Sequence, residues 1–325
     1  MTRRQTAGAT LLAAIVAAAV AAPVLSPHGP VQQFAGFENA PPMLPHIRDD
    51  DGSVRAPFVR PLYLVSRLER RYATTAARQP IRWFSGGSLA SIDESQGPWL
   101  PLGGDPLGRD VLARLLYGAR ISLAVAGLAA IGALMLGILV GAPAGFLGGR
   151  ADTVLMALAD FVLVLPAIYV ALALRAALPL VLSARDIFWA LVLVLSAVGW
   201  PIAARGVRAI LASERKKEYA EAAYAAGVPP LRILLRHLLP SAHSFLAVTA
   251  TMMVPAFLLT EGTLTLVGLG FPVPTPTWGA MLRDAWQGAA FTDAPWLLAP
   301  AIALIFTVLS LHLLNSNAPG DTTFQ

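Results

Sequence analysis

ISLAVAGLAAIGALMLGILVGAPAGFL, residues Ile121–Leu147, runs for 27 positions without a charged side chain. As a helix rising 1.5 Å per residue it would extend about 40 Å, more than the hydrocarbon core of a bilayer, about 30 Å thick. Five further apolar runs of comparable kind follow from the breakers on either side: Ala7–Leu25, Thr153–Leu182, Ile187–Leu211, Ser241–Leu269 and Pro295–Asn315. The fold class expected is therefore an all-α polytopic membrane protein with about six transmembrane helices. Pro143, Pro166, Pro201, Pro255 and Pro300 fall inside these runs, so kinks are expected there.

Composition agrees with that reading. Of 325 residues, 56% are hydrophobic and 13% charged, against the usual charged share of about 25% in soluble domains. With no cysteine, the chain lacks disulfides, haem-thiolate, iron–sulfur and cysteine-based nucleophile or zinc chemistry. Its five histidines form no metal pattern, and no metal site is expected. The formal charge of +5 rests on 22 Arg and two Lys, which in a membrane chain reads as orientation and not as nucleic-acid binding.

With the N-terminus inside, the cytoplasmic set holds ten cations: Arg3, Arg4, Arg150, Arg205, Arg208, Arg215, Lys216, Lys217, Arg232 and Arg236. The short outer segments hold Arg175, Arg185 and Arg283, and this contrast favours that orientation. Arg109, Arg114 and Arg120 stand against it, in a long segment where the rule is weak. Arg3, Arg4 and Ala19-Val20-Ala21 also resemble a cleavable secretory signal. The organisation expected is a first helix or signal-like anchor over 1–25, an extracytoplasmic segment over 26–118, a transmembrane core over 119–315 and a cytoplasmic tail over 316–325.

The outer segment contains the Pro-rich Gly36–Pro45, the acidic turn Asp49-Asp50-Asp51-Gly52 and a basic run around Arg67–Arg71. Phe58–Val65 and Ile81–Phe84 are β-like, so this insertion is either a small β-rich subdomain or a partly ordered loop. Leu107–Arg120 and Trp278–Gln287 read as amphipathic interfacial helices. The first would turn Arg109, Asp110, Arg114 and Arg120 outward, and Trp278 suits the headgroup level.

A polar loop over 212–240 is more informative. Glu218-Tyr219-Ala220-Glu221-Ala222-Ala223-Tyr224-Ala225 favours a helix, which Gly227 and Pro229-Pro230 end, and a second helix starts near Pro230. Glu218, Glu221, Ala222 and Ala225 fall on adjacent faces, offering a small-residue surface with acidic groups to a close partner. Lys217 and Glu221 make an i,i+4 pair. A solvated charged loop is the plainer alternative.

Glu221-Ala222-Ala223, three residues, Gly227, nine residues, then His237-Leu238-Leu239-Pro240 resembles the EAA loop of permease subunits in binding-protein-dependent ABC importers. Leu102-Gly103-Gly104-Asp105-Pro106-Leu107-Gly108-Arg109-Asp110-Val111-Leu112 is similar to the segment before the second span in the dipeptide/oligopeptide branch, in its C-type permease subunit. Asp160 with Leu163-Val164-Leu165-Pro166, Glu261 with Leu266-Val267-Gly268-Leu269-Gly270, and Pro274-Thr275-Pro276-Thr277-Trp278-Gly279 agree with the same branch. Gly104 stands where that branch usually has Thr, the segment Pro42–Ser95 is longer than typical, and the tail Asn315–Gln325 lacks the usual ending.

The resemblance implies the type I ABC importer permease fold and half of a translocation pore for peptides. It also implies a homologous permease subunit, two cytoplasmic ABC ATPase subunits and an extracytoplasmic solute-binding protein as partners. It places ATPase coupling on Glu218, Glu221, Ala222, Ala223, Ala225, Gly227 and Pro240, and an outer interfacial motif on Gly108, Arg109, Asp110, Trp278 and Gly279. No resident cofactor is implied, ATP and Mg being held by the ATPases. The chain has no Gly-x-x-x-x-Gly-Lys-Ser/Thr and its only lysines are Lys216 and Lys217, so no catalytic residue is assigned.

Asp160 and Glu261 are the notable intramembrane acids, expected near span ends with partial hydration, for structural hydrogen bonding or lining of the path. Rival readings are an intramembrane hydrolase, for which the motifs are missing, a passive channel or secondary carrier, and an importer of nickel or another small solute.

Overall fold

The computed structural model describes residues 2–49, 53–66, 70–93, 95, 97–179, 182–287 and 293–315. Its helices are α1 (Arg3–Val20), α2 (Ala22–Leu25), α3 (Val111–Leu147), α4 (Gly149–Val164), α5 (Ala167–Ala176), α6 (Ala184–Glu214), α7 (Glu218–Ala225), α8 (Pro230–Ile233), α9 (His243–Leu266), α10 (Trp278–Gln287) and α11 (Ala299–Asn315). Among the described residues, Val111–Leu147, Ala184–Glu214, Pro230–Leu266 and Pro295–Asn315 are long and apolar enough to cross a membrane. Counting the bent pair Gly149–Val164 and Ile168–Ala176 as one span makes five. The expected first span is also helical, but Arg3, Arg4 and Gln5 occupy the first turn of α1 and shorten its apolar length.

The chain divides into two compact units. The first comprises Met1–Gly8, Leu123–Leu269 and Leu311–Gln325. Its most buried span is α6, which begins where the Ser183 hydroxyl accepts the Asp186 N–H at 3.2 Å, a standard N-cap. In lipid the hydrophobic effect does not drive helices together, so close backbone approach must. Gly141 of α3 supplies it: a Cβ there would overlap the Ala204 carbonyl oxygen of α6. Helices α3, α6 and α9 run through Pro143, Pro201 and Pro255.

Thr153–Leu182 is not one continuous helix. The chain turns by 88° between Gly149–Val164 and Ile168–Ala176. Leu165 is extended (φ −76°, ψ 129°), as a residue before proline prefers, and Pro166 caps α5. Leu180 and Val181 of that expected span lie outside the described residues, as does the tail 316–325.

The second unit comprises Ala9–Ser122 and Gly270–Ser310. The insertion is β-rich: β1 (His46–Arg48), β2 (Val54–Val59), β3 (Leu62–Ser66), β4 (Arg71–Thr74), β5 (Gln79–Pro80), β6 (Arg82–Ser85) and β7 (Ser88–Ser91). They form an antiparallel sheet β1-β2-β5 and two hairpins, β3-β4 and β6-β7. Phe58–Val65 is thus two strands, split at Arg60-Pro61 because proline cannot continue a ladder. Ala40, Met43, Val59, Leu62, Ile81, Ile92, Trp99 and Leu100 make its core, where Trp99 Nε1 donates to the Met43 carbonyl at 2.9 Å. Of the acidic turn, Asp49 is buried against Arg55, Arg60 and Arg78 at 3.2, 3.3 and 2.7 Å, while residues 50–52 lie outside the described residues. Arg67, Leu68 and Glu69 of the basic run also lie outside them.

Candidate coupling site and a buried charge cluster

Helix α7 is defined at both ends by its own sequence. Lys217 is extended at the N-cap (φ −83°, ψ 150°), and its carbonyl accepts the Ala220 and Glu221 N–H groups at 2.9 and 3.2 Å. Glu218 and Glu221 lie in the first turn, where the helix dipole favours negative charge. At the other end, Gly227 N–H donates to Tyr224 O at 3.0 Å and Val228 N–H to Ala223 O at 3.1 Å, a Schellman pair closing on Gly227 with φ +75°. Only glycine adopts that backbone without strain. The chain re-enters a helix at once, with Pro230 at the first position of α8.

Burial divides α7 into two faces. Glu218, Glu221, Ala222 and Ala225 are exposed and Ala223 is half-buried. Ala220 is fully buried, in one apolar core with Ala142 of α3, Val207 and Leu211 of α6, and Ile233, Leu238 and Ala242 of the returning segment. Tyr224 stacks on Phe146 of α3 with ring centroids 6.4 Å apart. The helix is therefore solvated on one side and seated on three spans on the other. Sequence reasoning passed over Ala220, although its phase, opposite Ala222 and Ala225, was the available signal.

Polar contacts fix the same corner. Arg215 Nη1 donates to the Phe146 carbonyl at 2.8 Å, capping the end of α3, and Arg208 forks onto both carboxylate oxygens of Asp152. The expected Lys217–Glu221 pair is absent: Lys217 Nζ bonds Glu214 Oε1 at 2.7 Å, because its extended N-cap backbone takes it off the helical face. Glu214 Oε2 also accepts the Tyr219 hydroxyl at 2.7 Å. Burial, then that carboxylate, pushes the Tyr219 phenol up to about 12.

Past α8 the ladder changes twice. Leu234–Leu238 is a π-turn, in which Leu239 N–H reaches Leu234 O, and Leu239–Ala242 is 3₁₀ before α9 begins. Pro240 lies in the 3₁₀ stretch with no N–H to give, which accounts for a break in regular pairing at this point.

Within the second unit, the outer motif is not an exposed interfacial face. Leu107–Arg120 does not form a separate helix: Arg109 and Asp110 precede α3, and Arg109, Asp110 and Arg114 are 3%, 0% and 2% exposed. Asp105 Oδ2 accepts Arg109 Nε at 2.6 Å and also Arg114 Nη1, while its Oδ1 takes the Leu107 and Arg109 N–H groups. Asp284 of α10 closes the cluster, bonding Arg109 Nη2 at 3.1 Å and Arg114 Nη1 at 2.9 Å. Asp110 caps α3 through the Leu112 N–H and pairs with His28 Nδ1 at 3.0 Å.

Gly108 joins the same turn, accepting the Phe34 N–H at 3.0 Å. Trp278, placed by its sequence at the headgroups, is buried instead, with Nε1 on the Leu115 carbonyl and its own N–H on Ser122 Oγ. Gly279 follows it in the first turn of α10. The signal missed was charge balance, since two arginines and two aspartates neutralise each other once folded.

The two intramembrane acids differ. Glu261 is 1% exposed, not partly hydrated, and accepts the Thr265 hydroxyl at 3.1 Å. Asp160 is half-exposed and lies 3.3 Å from Arg205 Nη2. A cavity of about 590 Å³ between α4, α5, α6 and α9 is lined by neither.

An apolar bundle carrying a short helix that is solvated on one side and seated on its spans on the other is a membrane component. Residues 133–317 match the family described as binding-protein-dependent transport system inner membrane component, and the chain belongs to it. It is 32% identical over 235 residues to the oligopeptide transport system permease protein OppC of Bacillus subtilis (strain 168), covering 71% of this chain and 74% of that protein. To the di/tripeptide transport system permease protein DppC of Pseudomonas aeruginosa (strain UCBPP-PA14) it is 32% identical over 263 residues, covering 80% and 79%. To OppC of Haemophilus influenzae (strain ATCC 51907 / DSM 11121 / KW20 / Rd) it is 35% identical over 215 residues, 66% of each. A solved inward-facing MetNI methionine ABC transporter shares 20% identity at a TM-score of 0.46, covering 61% of this chain and 91% of that one. The family match and the permease relatives give the fold as that of an ABC importer permease with a small β insertion, in place of the hydrolase and passive-channel readings.

Proposed function

We propose that this chain forms half of a translocation pore for peptides, paired with a homologous permease and driven through α7 by separate ATPase subunits. The observation that carries the reading is the division of α7: Ala220 sits in the core with α3, α6 and the α8–α9 segment, while Glu218, Glu221, Ala222 and Ala225 face outward. A partner that grips the outer face moves the spans through the inner one, so ATP-driven closure of a neighbouring protein reorients the bundle. Gly227 sets the angle of the lever, Ala223 and Ala225 allow close approach, and Pro240 marks the joint beyond it.

Peptides are the substrate class because the relatives above are named for oligopeptides and di/tripeptides, which favours them over nickel. The N-terminus, the tail and α7 lie in the cytoplasm, and the β insertion faces the solute-binding protein outside. Arg109 and Trp278 brace the start of α3 against α10, while Asp110 caps α3 and Gly108 shapes the turn before it. Asp160 ties α4 to α6 through Arg205, and Glu261 makes a structural hydrogen bond with Thr265 within α9.

The cysteine-free sequence provides a direct test. Ala222→Cys creates a unique thiol that membrane-impermeant maleimide should label only in inside-out vesicles, and purified ATPase subunits should protect it. Labelling from outside the cell, or no protection by the ATPase, would overturn the proposal.

A further inference from the structure

The β6–β7 hairpin of the insertion turns two large aromatic side chains outward. Trp83 is 55% exposed and Phe84 is 80% exposed. Phe84 is also held at φ +53°, a backbone that a bulky residue rarely adopts and that persists only where the surroundings demand it. On β1, Ile47 is exposed as well. Adjoining apolar side chains left facing outward mark a contact with another protein or with a membrane.

Continuity with the first apolar run decides between the two. Ile47 and Trp83 share a cavity of about 360 Å³ with Leu89 and Ala90 of β7, Leu25 of α2 and Leu112 of α3, all within the second unit. Leu25 ends the run Ala7–Leu25, which α1 and α2 carry as helix on either side of Ala21. At 1.5 Å per residue that run measures about 28 Å, close to the hydrocarbon thickness of about 30 Å. With Arg3 and Arg4 at one edge, Leu25 lies at the other, and the apolar face of the insertion begins where the hydrocarbon ends. Val20 and Val24 are exposed on the same helical stretch, as lipid-facing side chains should be. A tryptophan at that level has its ring in an apolar medium and its N–H within reach of water. Arg82, next to it on β6, is exposed and pairs with the exposed Asp93 at 3.5 Å, so its charge is available to headgroup phosphates.

We propose that the face of the insertion carrying Ile47, Trp83 and Phe84 rests on the phospholipid of the outer leaflet, with the β6–β7 hairpin as an interfacial anchor. The proposal rests on the membrane placement and sidedness given above and not on what the pore carries. It leaves the other faces of the insertion to the solute-binding protein.

Because the chain has no cysteine, Phe84→Cys and Ile47→Cys each create one site for a polarity-sensitive fluorescent maleimide. The assembled permease–ATPase complex is placed in nanodiscs of phosphatidylethanolamine and phosphatidylglycerol in equal parts, with or without lipid bearing a nitroxide on a shallow acyl carbon. Without the solute-binding protein, nitroxide lipid should remove most of the emission at both positions and aqueous iodide should remove little. Quenching by iodide with none from nitroxide lipid overturns the proposal. Shielding that appears only when the solute-binding protein is added also overturns it, and gives the face to that protein. Shielding from iodide without nitroxide quenching overturns it in favour of a protein contact inside the complex. Should one labelled variant fail to assemble, the other decides. The Ala222→Cys labelling reads sidedness by itself: reaction of that thiol from outside the cell defeats the orientation, whereas a wet hairpin in a correctly oriented complex defeats only the anchor.

Discussion

Arg114 and Asp284 are 170 positions apart in the chain, yet Arg114 Nη1 donates to Asp284 Oδ2 at 2.9 Å. The contact ties the first turn of α3 to α10, and Asp105 completes the charge balance around it. Asp284→Ala would leave two buried arginines sharing one carboxylate. We expect a loss of about 3 kcal/mol, since removing one partner strands a buried charge. Denaturation in detergent measures it, with Asp284→Asn falling between the variant and the wild type; an unchanged midpoint for both would show that the cluster contributes nothing to stability.

Ala220 occupies a fully buried position under α7. Ala220→Leu adds three carbons where Leu211 and Ile233 already fill the space, so a cost of about 1–3 kcal/mol is expected from overpacking. The variant should insert normally but import poorly, because α7 is lifted from its seat. Normal uptake would mean that this seat does not transmit force.

Gly227→Val places a β-branched residue at φ +75°. The left-handed backbone costs an ordinary residue about 1–2 kcal/mol, and more with β-branching. Transport should fall sharply at normal membrane levels, whereas Gly227→Asn, which tolerates that backbone better, should retain much of it. Full uptake by the valine variant would argue against a fixed turn.

Tyr219 ionises late, near 12, because burial and the Glu214 carboxylate disfavour the phenolate. Its folded value is raised, so its contribution to stability is complete below the ordinary phenol range near 10 and is lost as pH climbs through about 12. Tyrosinate absorbance of the folded protein should show this delayed step together with that of Tyr72, which burial and the Glu38 carboxylate also raise to about 12, and Tyr219→Phe should lower its amplitude by one tyrosine. A variant titrating identically to the wild type would show that the late step belongs elsewhere.

Local physics made much of this molecule readable from its residues. Ile121–Leu147 can only be a long apolar helix, and Gly227 followed by Pro229-Pro230 can only end one. Long-range partners were not readable: Arg109 and Arg114 look like a solvated face until Asp284 arrives from the far end of the chain. Proline shows the same divide. Pro143, Pro201 and Pro255 sit inside continuous helices while Pro166 accompanies an 88° turn, so the residue type alone does not separate the outcomes. In the β insertion, Phe58–Val65 and Ile81–Phe84 were legible as β-like, but β1, β4, β5 and β7 were not, and the pairing depended on contacts no single stretch contains.

The change of pitch between Leu234 and Ala242 has a further consequence. A departure from regular α pairing inside a long helical run, here a π-turn followed by a 3₁₀ turn, often marks a hinge. Under the coupling proposed above, strain delivered at α7 would concentrate in those nine residues, and α9 would swing as a stiff spoke about a flexible hub.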